Sequence, residues 1–338
     1  MLTKRLKIGV IGVGRMGQHH CRVYSNLRNV DFVGIYDPNS EATDSFSKNY
    51  DVTAFGQLDD LLSRVEAVTV ATPTPNHYDT VMQCLQHGVH VLIEKPIAET
   101  LEQAECIVEL AETSGLVVQV GHIERFNPAY RELKNVLDGM PVLAVNFRRL
   151  SPYLGSNKDV DVILDLMTHD VDLCLDMSCR PPDRIMAYGK TVFSDTLDHA
   201  VAHLVYEDGP LYTITASRVT EHKVRRIDVT TSDAYLECDL LNKTISVHRR
   251  SLGEYLNQNK GVKYRQESLE EKILVPTSEP LYLELQHFVD CVLFGQSCLV
   301  GVQEGLQTLK IVTMVRDLAL SQNTGSNSIS LTVASDNS

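Results

Sequence analysis

The chain has 338 residues, more than one hydrophobic core usually organises, so two domains are expected. With 43% apolar and 22% charged residues it can bury full-sized cores. Its 44 acidic residues against 31 basic ones give a formal charge of −13, which opposes phosphate backbones and anionic bilayers and argues against nucleic-acid or membrane partners.

The basic start, Lys4-Arg5-Leu6-Lys7, is followed by an apolar run that Gly12, Gly14, Arg15 and Gly17 interrupt, unlike a secretory leader. No stretch reaches the roughly 18 uninterrupted apolar residues of a membrane span. The eight cysteines form no CxxC and several sit within apolar periodic segments, as reduced, mostly buried thiols do. A cytoplasmic protein is expected.

Through about residue 122, short β-branched-rich runs at 6–11, 31–36, 67–71, 90–93 and 116–120 alternate with amphipathic stretches. Runs of this kind read as strands buried on both faces, and the alternation predicts βαβ units in a doubly wound parallel sheet. The helix expected over 101–112 opens with a capping spacing from Thr100 to Gln103. The first domain is therefore 1–122 and the second 123–338. In the second, a helix-like stretch at 160–176 is followed by period-two strands at 183–190, 198–206, 211–218, 226–231 and 235–239. These imply a mostly antiparallel sheet in an α+β domain, closed by helices at 281–294 and 303–320.

Gly12-Val13-Gly14-Arg15-Met16-Gly17 is a G-x-G-x-x-G between the first strand and a helical stretch at 18–27. In that context Gly12 permits the tight turn, Gly14 lets a pyrophosphate approach the backbone, and Gly17 allows close helix–strand packing. Asp37 ends the second strand some 20 residues on, where a carboxylate can accept from the adenosine ribose and repel a 2′-phosphate. NAD is expected in preference to NADP.

Thr72, Pro73, Asn76 and His77 follow the third long strand, and Glu94-Lys95-Pro96 follows the next, at the sheet edge where ligands bind in open α/β folds. With Gly12, Gly14, Arg15, Met16, Gly17 and Asp37, the residues Thr72, Pro73, Asn76, His77, Glu94 and Lys95 form the expected cofactor set. On spacing alone, Lys95 is either a donor to a substrate oxygen or a surface lysine before a proline turn. Asp165 and His169 stand four apart on one helical face, with Asp172 extending it. They are either an acid–base pair or a surface pair.

Taken together, the glycine loop, the Ala71-Thr72-Pro73 strand end, Glu94-Lys95-Pro96 and Asp165-x-x-x-His169 resemble the Gfo/Idh/MocA oxidoreductases over about residues 6–320. The resemblance implies that Lys95 contacts the reacting hydroxyl, that His169 is the catalytic acid/base and that Asp165 orients substrate. No metal is expected. Met167 stands where the family often has glycine. Gly121-His122-Ile123-Glu124-Arg125-Phe126-Asn127-Pro128, with Asp165-Leu166-Met167-Thr168-His169, is similar to the branch that oxidises UDP-N-acetylhexosamines at C3, where that methionine is familiar.

On this reading Lys95, Arg125, Asn127, Arg149, Tyr153, Asp165 and His169 bind substrate. Arg125 and Asn127 would supply a cation and an amide to phosphate or acetamido oxygens, and Tyr153 a ring for uracil. Arg148 and Arg149 face opposite sides of any strand, so at most one reaches the ligand. The alternatives are a dehydrogenase of a free sugar or inositol, and a non-catalytic nucleotide-sensing regulator. Association into a homodimer or homotetramer is expected.

Overall fold

A computed structural model of the chain describes residues 4–50, 52–153, 155, 159–249, 254–258, 261–265 and 269–324. The first strand, β1 (Leu6–Ile11), buries every side chain but Lys7. It starts a βα alternation of α1 (Arg15–Tyr24), β2 (Val30–Tyr36), α2 (Ser40–Tyr50), β3 (Thr53–Ala54), α3 (Leu58–Leu62) and β4 (Ala67–Val70). Then come α4 (His77–Gln86), β5 (His90–Glu94), α5 (Leu101–Ser114) and β6 (Val118–Gly121). The strands form a six-stranded sheet ordered β3-β2-β1-β4-β5-β6, parallel throughout. The order reverses between β1 and β4, which opens a crevice at the carboxyl ends of those strands. The capping box of α5 forms as its sequence predicts, Thr100 and Gln103 satisfying each other's main-chain N–H.

After α6 (Pro128–Leu137) comes β7 (Val142–Leu150), a long strand that the period-two reading did not single out. Past α7 (Thr168–Ser178) the chain forms β8 (Arg184–Lys190), β9 (His199–Val205), β10 (Leu211–Ser217), β11 (Val224–Thr231), β12 (Ala234–Asp239) and β13 (Thr244–Arg249). A separate hairpin, β14 (Glu254–Gln258) with β15 (Gly261–Arg265), precedes β16 (Leu269–Ile273). Eight of these strands form one sheet, β16-β13-β12-β11-β7-β10-β9-β8, antiparallel except for the β7–β10 pair. One face packs on α6, α7 and the second half of α9 (Val302–Thr324), through Tyr130, Leu133, Val171, Cys174, Val312 and Val315. The other face carries exposed Met186, Tyr188 and Leu211.

The helix-like stretch expected over 160–176 is helical, opening with a π turn at Ile163–Met167 and continuing as α7. Asp161 starts that turn by accepting from the N–H groups of Ile163 and Leu164. The two sheets lie on either side of residue 122, and the last two helices pack back onto the first of them. Leu281, Leu285, Phe288 and Val289 of α8 (Pro280–Phe294) pack into the core around β1 and α1. Leu306 and Leu309 of α9 join the core around β4 to β6. The last two helices therefore tie the second domain to the first. No helix among the described residues is long and apolar enough to cross a membrane.

Candidate active site

The crevice at the β1/β4 switch is a cavity of about 770 Å³, within the range of small-molecule sites, and residues from both domains line it. On the first domain's side lies the loop after β1. Gly12 has φ +89°, and a Cβ there would stand 2.7 Å from the Ala71 carbonyl oxygen. A Cβ on Gly17 would stand 1.8 Å from the oxygen of Gly12. Both positions require glycine. A Cβ on Gly14 would meet nothing within 4 Å, so the backbone there faces open space at the start of α1. An exposed main chain at a helix N-terminus is the cradle a pyrophosphate needs.

Asp37 lies beside this loop, its two carboxylate oxygens accepting from the N–H groups of Val13 and Asn39, each at 2.9 Å. Arg15, Met16, Thr72, Pro73 and Asn76 line the same cavity. The Thr72 hydroxyl oxygen is buried without a protein partner, which leaves it for a ligand. His77 also borders the cavity, but both ring nitrogens sit against main-chain carbonyl oxygens, Nδ1 2.8 Å from Pro96 O and Nε2 2.9 Å from Thr72 O, and the single N–H of the neutral ring donates to one of them. Its role in this structure is to brace the two strand-end loops against each other.

At the end of β5, Glu94 meets a residue to which the sequence assigned no role. His20 on α1 is completely buried, and its Nε2 lies 2.8 Å from Glu94 Oε1. Burial works against the Glu94 charge, but His20 and Lys95 outweigh it and hold the carboxyl below its usual range. Lys95 reaches across the crevice, its Nζ donating to the main-chain oxygen of Asp165 at 2.9 Å. Burial pushes the Lys95 ammonium down, opposed by Asp165 and Glu94.

Asp165, in the π turn, and His169, in the first turn of α7, line the cavity opposite the glycine loop. The two side chains share the cavity wall without bonding to each other, on a π turn, a local geometry that recurs at functional sites. His169 Nδ1 is buried and has no partner. Burial, then Lys95 and Arg149, drive the imidazole well below its usual range, so the ring is neutral at physiological pH. Asp172 does not continue this face into the cavity. It is fully buried and receives both Nε and Nη2 of Arg125, at 2.7 and 2.9 Å.

The remaining expected substrate contacts divide. Arg149 lines the cavity, while Arg148 faces away and pairs with Asp228. Arg149 is consumed by Asp170, through two hydrogen bonds of 2.9 and 2.7 Å, and by Glu124 at 2.8 Å. Arg125 is not in the cavity; besides Asp172 it holds Asp176 at 2.7 Å. Asn127 caps α6, its oxygen accepting from Ala129 N–H at 3.1 Å and its amide donating to Leu240 O and Glu124. Tyr153 packs on Phe193 outside the cavity, with ring centroids 5.0 Å apart. Conversely, Arg225 of β11 lines the cavity and was not anticipated.

Residues 6–122 match the family described as "Oxidoreductase family, NAD-binding Rossmann fold", and residues 146–237 match the GFO/IDH/MocA C-terminal domain. The chain is 34% identical over 248 residues to the UDP-N-acetylglucosamine 3-dehydrogenase of Acidithiobacillus ferrooxidans, covering 73% of this chain and 78% of that one. A crystal structure of that enzyme, GnnA, superposes with a TM-score of 0.85 at 29% identity, covering 94% of this chain and 99% of the other. The scyllo-inositol 2-dehydrogenase (NAD(+)) of Bacillus subtilis is 22% identical over 320 residues, 88% of this chain and 90% of that one. With a glycine-loop Rossmann domain and Lys95, Asp165 and His169 converging on one crevice, the chain belongs to the Gfo/Idh/MocA oxidoreductase family and is a nicotinamide-dependent dehydrogenase.

Proposed function

We propose that this enzyme oxidises the C3 hydroxyl of a UDP-N-acetylhexosamine, with NAD as the hydride acceptor. The observation that carries the reading is the convergence of Lys95, Asp165 and His169 on one crevice with the glycine loop, where burial also holds the His169 imidazole below its usual range. A neutral imidazole can take a hydroxyl proton, and a lysine ammonium can donate to the same oxygen as charge develops on it. In this mechanism the substrate C–H and O–H bonds break together or in sequence. The proton goes to His169 and the electron pair of the C–H bond leaves as hydride. Lys95 stabilises the oxygen, and Asp165 fixes the orientation of the sugar.

Bound with its pyrophosphate over Gly12, Gly14 and Gly17, the dinucleotide would supply the nicotinamide that accepts the hydride. Arg15, Met16, Thr72, Pro73 and Asn76 would surround it, and Glu94 would lie at the floor of the crevice. Asp37, pinned by the glycine loop, favours NAD because a 2′-phosphate beside it would be repelled.

The likeness to the A. ferrooxidans enzyme supports the nucleotide-linked amino sugar over a free polyol. All eight cysteines are free thiols, which supports a reducing compartment, the cytoplasm. The test is NADH formation across a panel of UDP-N-acetylglucosamine, UDP-N-acetylgalactosamine, the free amino sugars and inositol. Turnover confined to the UDP conjugates is the expected result. Turnover of inositol or a free sugar alone overturns the substrate assignment and leaves the dehydrogenase in place.

A further inference from the structure

Register puts Arg225 of β11 directly opposite Arg149 of β7, and both line the crevice. Two guanidinium groups facing each other across a strand pair repel unless each is compensated. Arg149 is compensated, by Asp170 and Glu124. Arg225 has no carboxylate at ion-pair distance among the described residues. Its Nη1 donates to the main-chain oxygens of Leu150 and Val224, each at 2.9 Å, and its Nη2 to Ser151 Oγ at 3.2 Å. These neutral groups fix the plane of the guanidinium without cancelling its charge. Asp170, Glu124 and Asp165 attract it from a distance, but burial and Arg149 outweigh them and push its pKa down to about 10. A cation held in that state gains from an arriving anion.

The other cations of the crevice are placed differently. Lys95 is bonded to the Asp165 carbonyl, and Arg15 is exposed beside the glycine loop, on the dinucleotide's side. We propose that Arg225 is the anion subsite of the crevice, holding a phosphoryl group of the substrate apart from the cofactor's own pyrophosphate. The inference rests on the phosphorylated-sugar reading above and names the residue that recognises it. A fork of N–H donors on an immobilised guanidinium suits phosphate oxygens. A nucleoside diphosphate and a sugar monophosphate share this chemistry, so the test must separate them.

UDP, glucose 6-phosphate and free N-acetylglucosamine are titrated calorimetrically into the full-length protein saturated with NADH, so that the dinucleotide site is already filled. UDP is expected to bind the unaltered protein. Arg225→Ala should weaken it at least tenfold, Arg225→Lys less, with NADH affinity and the melting temperature little changed. The free amino sugar should be indifferent to both substitutions. If glucose 6-phosphate binds through Arg225 and UDP does not bind at all, the subsite stands and the nucleotide reading falls. If UDP binds unaltered and Arg225→Ala proteins within twofold of each other, the subsite is overturned and the nucleotide reading survives. Failure of both phosphorylated ligands to bind the unaltered protein also overturns the subsite. Kinetically, Arg225→Ala should raise KM for the phosphorylated substrate more than it lowers kcat, a split that general loosening of the strand pair would not produce.

Discussion

Lys95 Nζ donates to the main-chain oxygen of Asp165 at 2.9 Å, joining the end of β5 in the first domain to the π turn of the second. This bond sets the distance between the cofactor cradle and the His169 wall. It also leaves Lys95 with donors to spare for a substrate oxygen, because an ammonium has three. Replacing Lys95 by Ala, or His169 by Gln, should lower kcat by roughly a hundredfold or more, the scale of a positioned acid/base. NADH affinity, read by fluorescence titration, should change little because the glycine loop is not touched. Near-normal turnover in both variants would remove these residues from the chemistry.

The pH profile carries the same assignment. His169 must be neutral to accept a proton, and burial holds its pKa well below the usual 6.5. The rising limb of kcat/KM should therefore lie below pH 6.5. Lys95 must be protonated to donate, and its pKa lies below the usual 10.5, so activity should fall before pH 10.5 is reached. Stability follows a related sign. Below pH 6.5 the unfolded chain binds a proton at His169 that the folded chain refuses, so this group makes stability fall as pH drops from 6.5 toward the folded pKa. A rising limb centred at or above 6.5 in the unaltered enzyme, and unchanged in the His169 variant, would contradict the assignment.

Arg125 separates the structural reading from the sequence reading. Buried against Asp172 and Asp176, it should act on stability rather than on substrate. Arg125→Ala leaves Asp172 as an uncompensated buried charge, and the unfolding free energy should drop by about 3–5 kcal/mol. Denaturant titration checks this directly. An unshifted midpoint combined with a selective rise in substrate KM would return Arg125 to the binding site.

Asp37 should govern cofactor choice. Asp37→Ala removes the repulsion of a 2′-phosphate, so the ratio of NADP to NAD efficiency should rise. Absolute efficiency with NAD should fall as well, because the carboxylate also holds the N–H of Val13 in the glycine loop. Equal efficiency with both cofactors in the unaltered enzyme would defeat the prediction.

The parts of the site written in local sequence were legible. The glycine loop and the strand-end Asp37 depend on neighbours within a turn or a strand, whereas spacing alone left Lys95 and the Asp165–His169 pair open, and the family resemblance supplied their roles. Arg125 and Asn127 were misjudged because their partners, Asp172, Asp176 and Leu240, come from later elements, and a cation beside a motif looks the same whether paired or free. Arg225 went unnoticed because its orientation depends on β11 lying beside β7, and the alternation of β7 is blurred by Asn146 and Arg148 on one face and Arg149 on the other. The role of His20 could not be read from α1 alone, since Glu94 arrives from β5. The π turn has no signal in hydrophobic period, as one extra residue leaves the apolar face of the helix nearly unchanged.

Self-association should follow from the open face of the eight-stranded sheet. Met186, Tyr188 and Leu211 are 47%, 55% and 46% exposed there, and Met186 and Tyr188 lie in register with His203 and Val201. These three side chains form an apolar cluster at the β8–β10 end of a face that elsewhere carries charged pairs such as Arg148–Asp228, and a cluster of this kind suits a partner surface. Light scattering at micromolar concentration should report a dimer or tetramer, and Tyr188→Lys should shift it toward monomer. A monomeric unaltered protein would reject the expectation.

The central claim, hydride transfer from C3 of a UDP-N-acetylhexosamine, is tested most directly with UDP-N-acetylglucosamine deuterated at C3. Incubated with NAD and the enzyme, this substrate should place its deuterium on C4 of the reduced nicotinamide and leave a 3-oxo sugar, both visible by mass spectrometry and NMR. Reduced cofactor without the label, or a label that stays on the sugar while NADH accumulates from another substrate, would contradict the account.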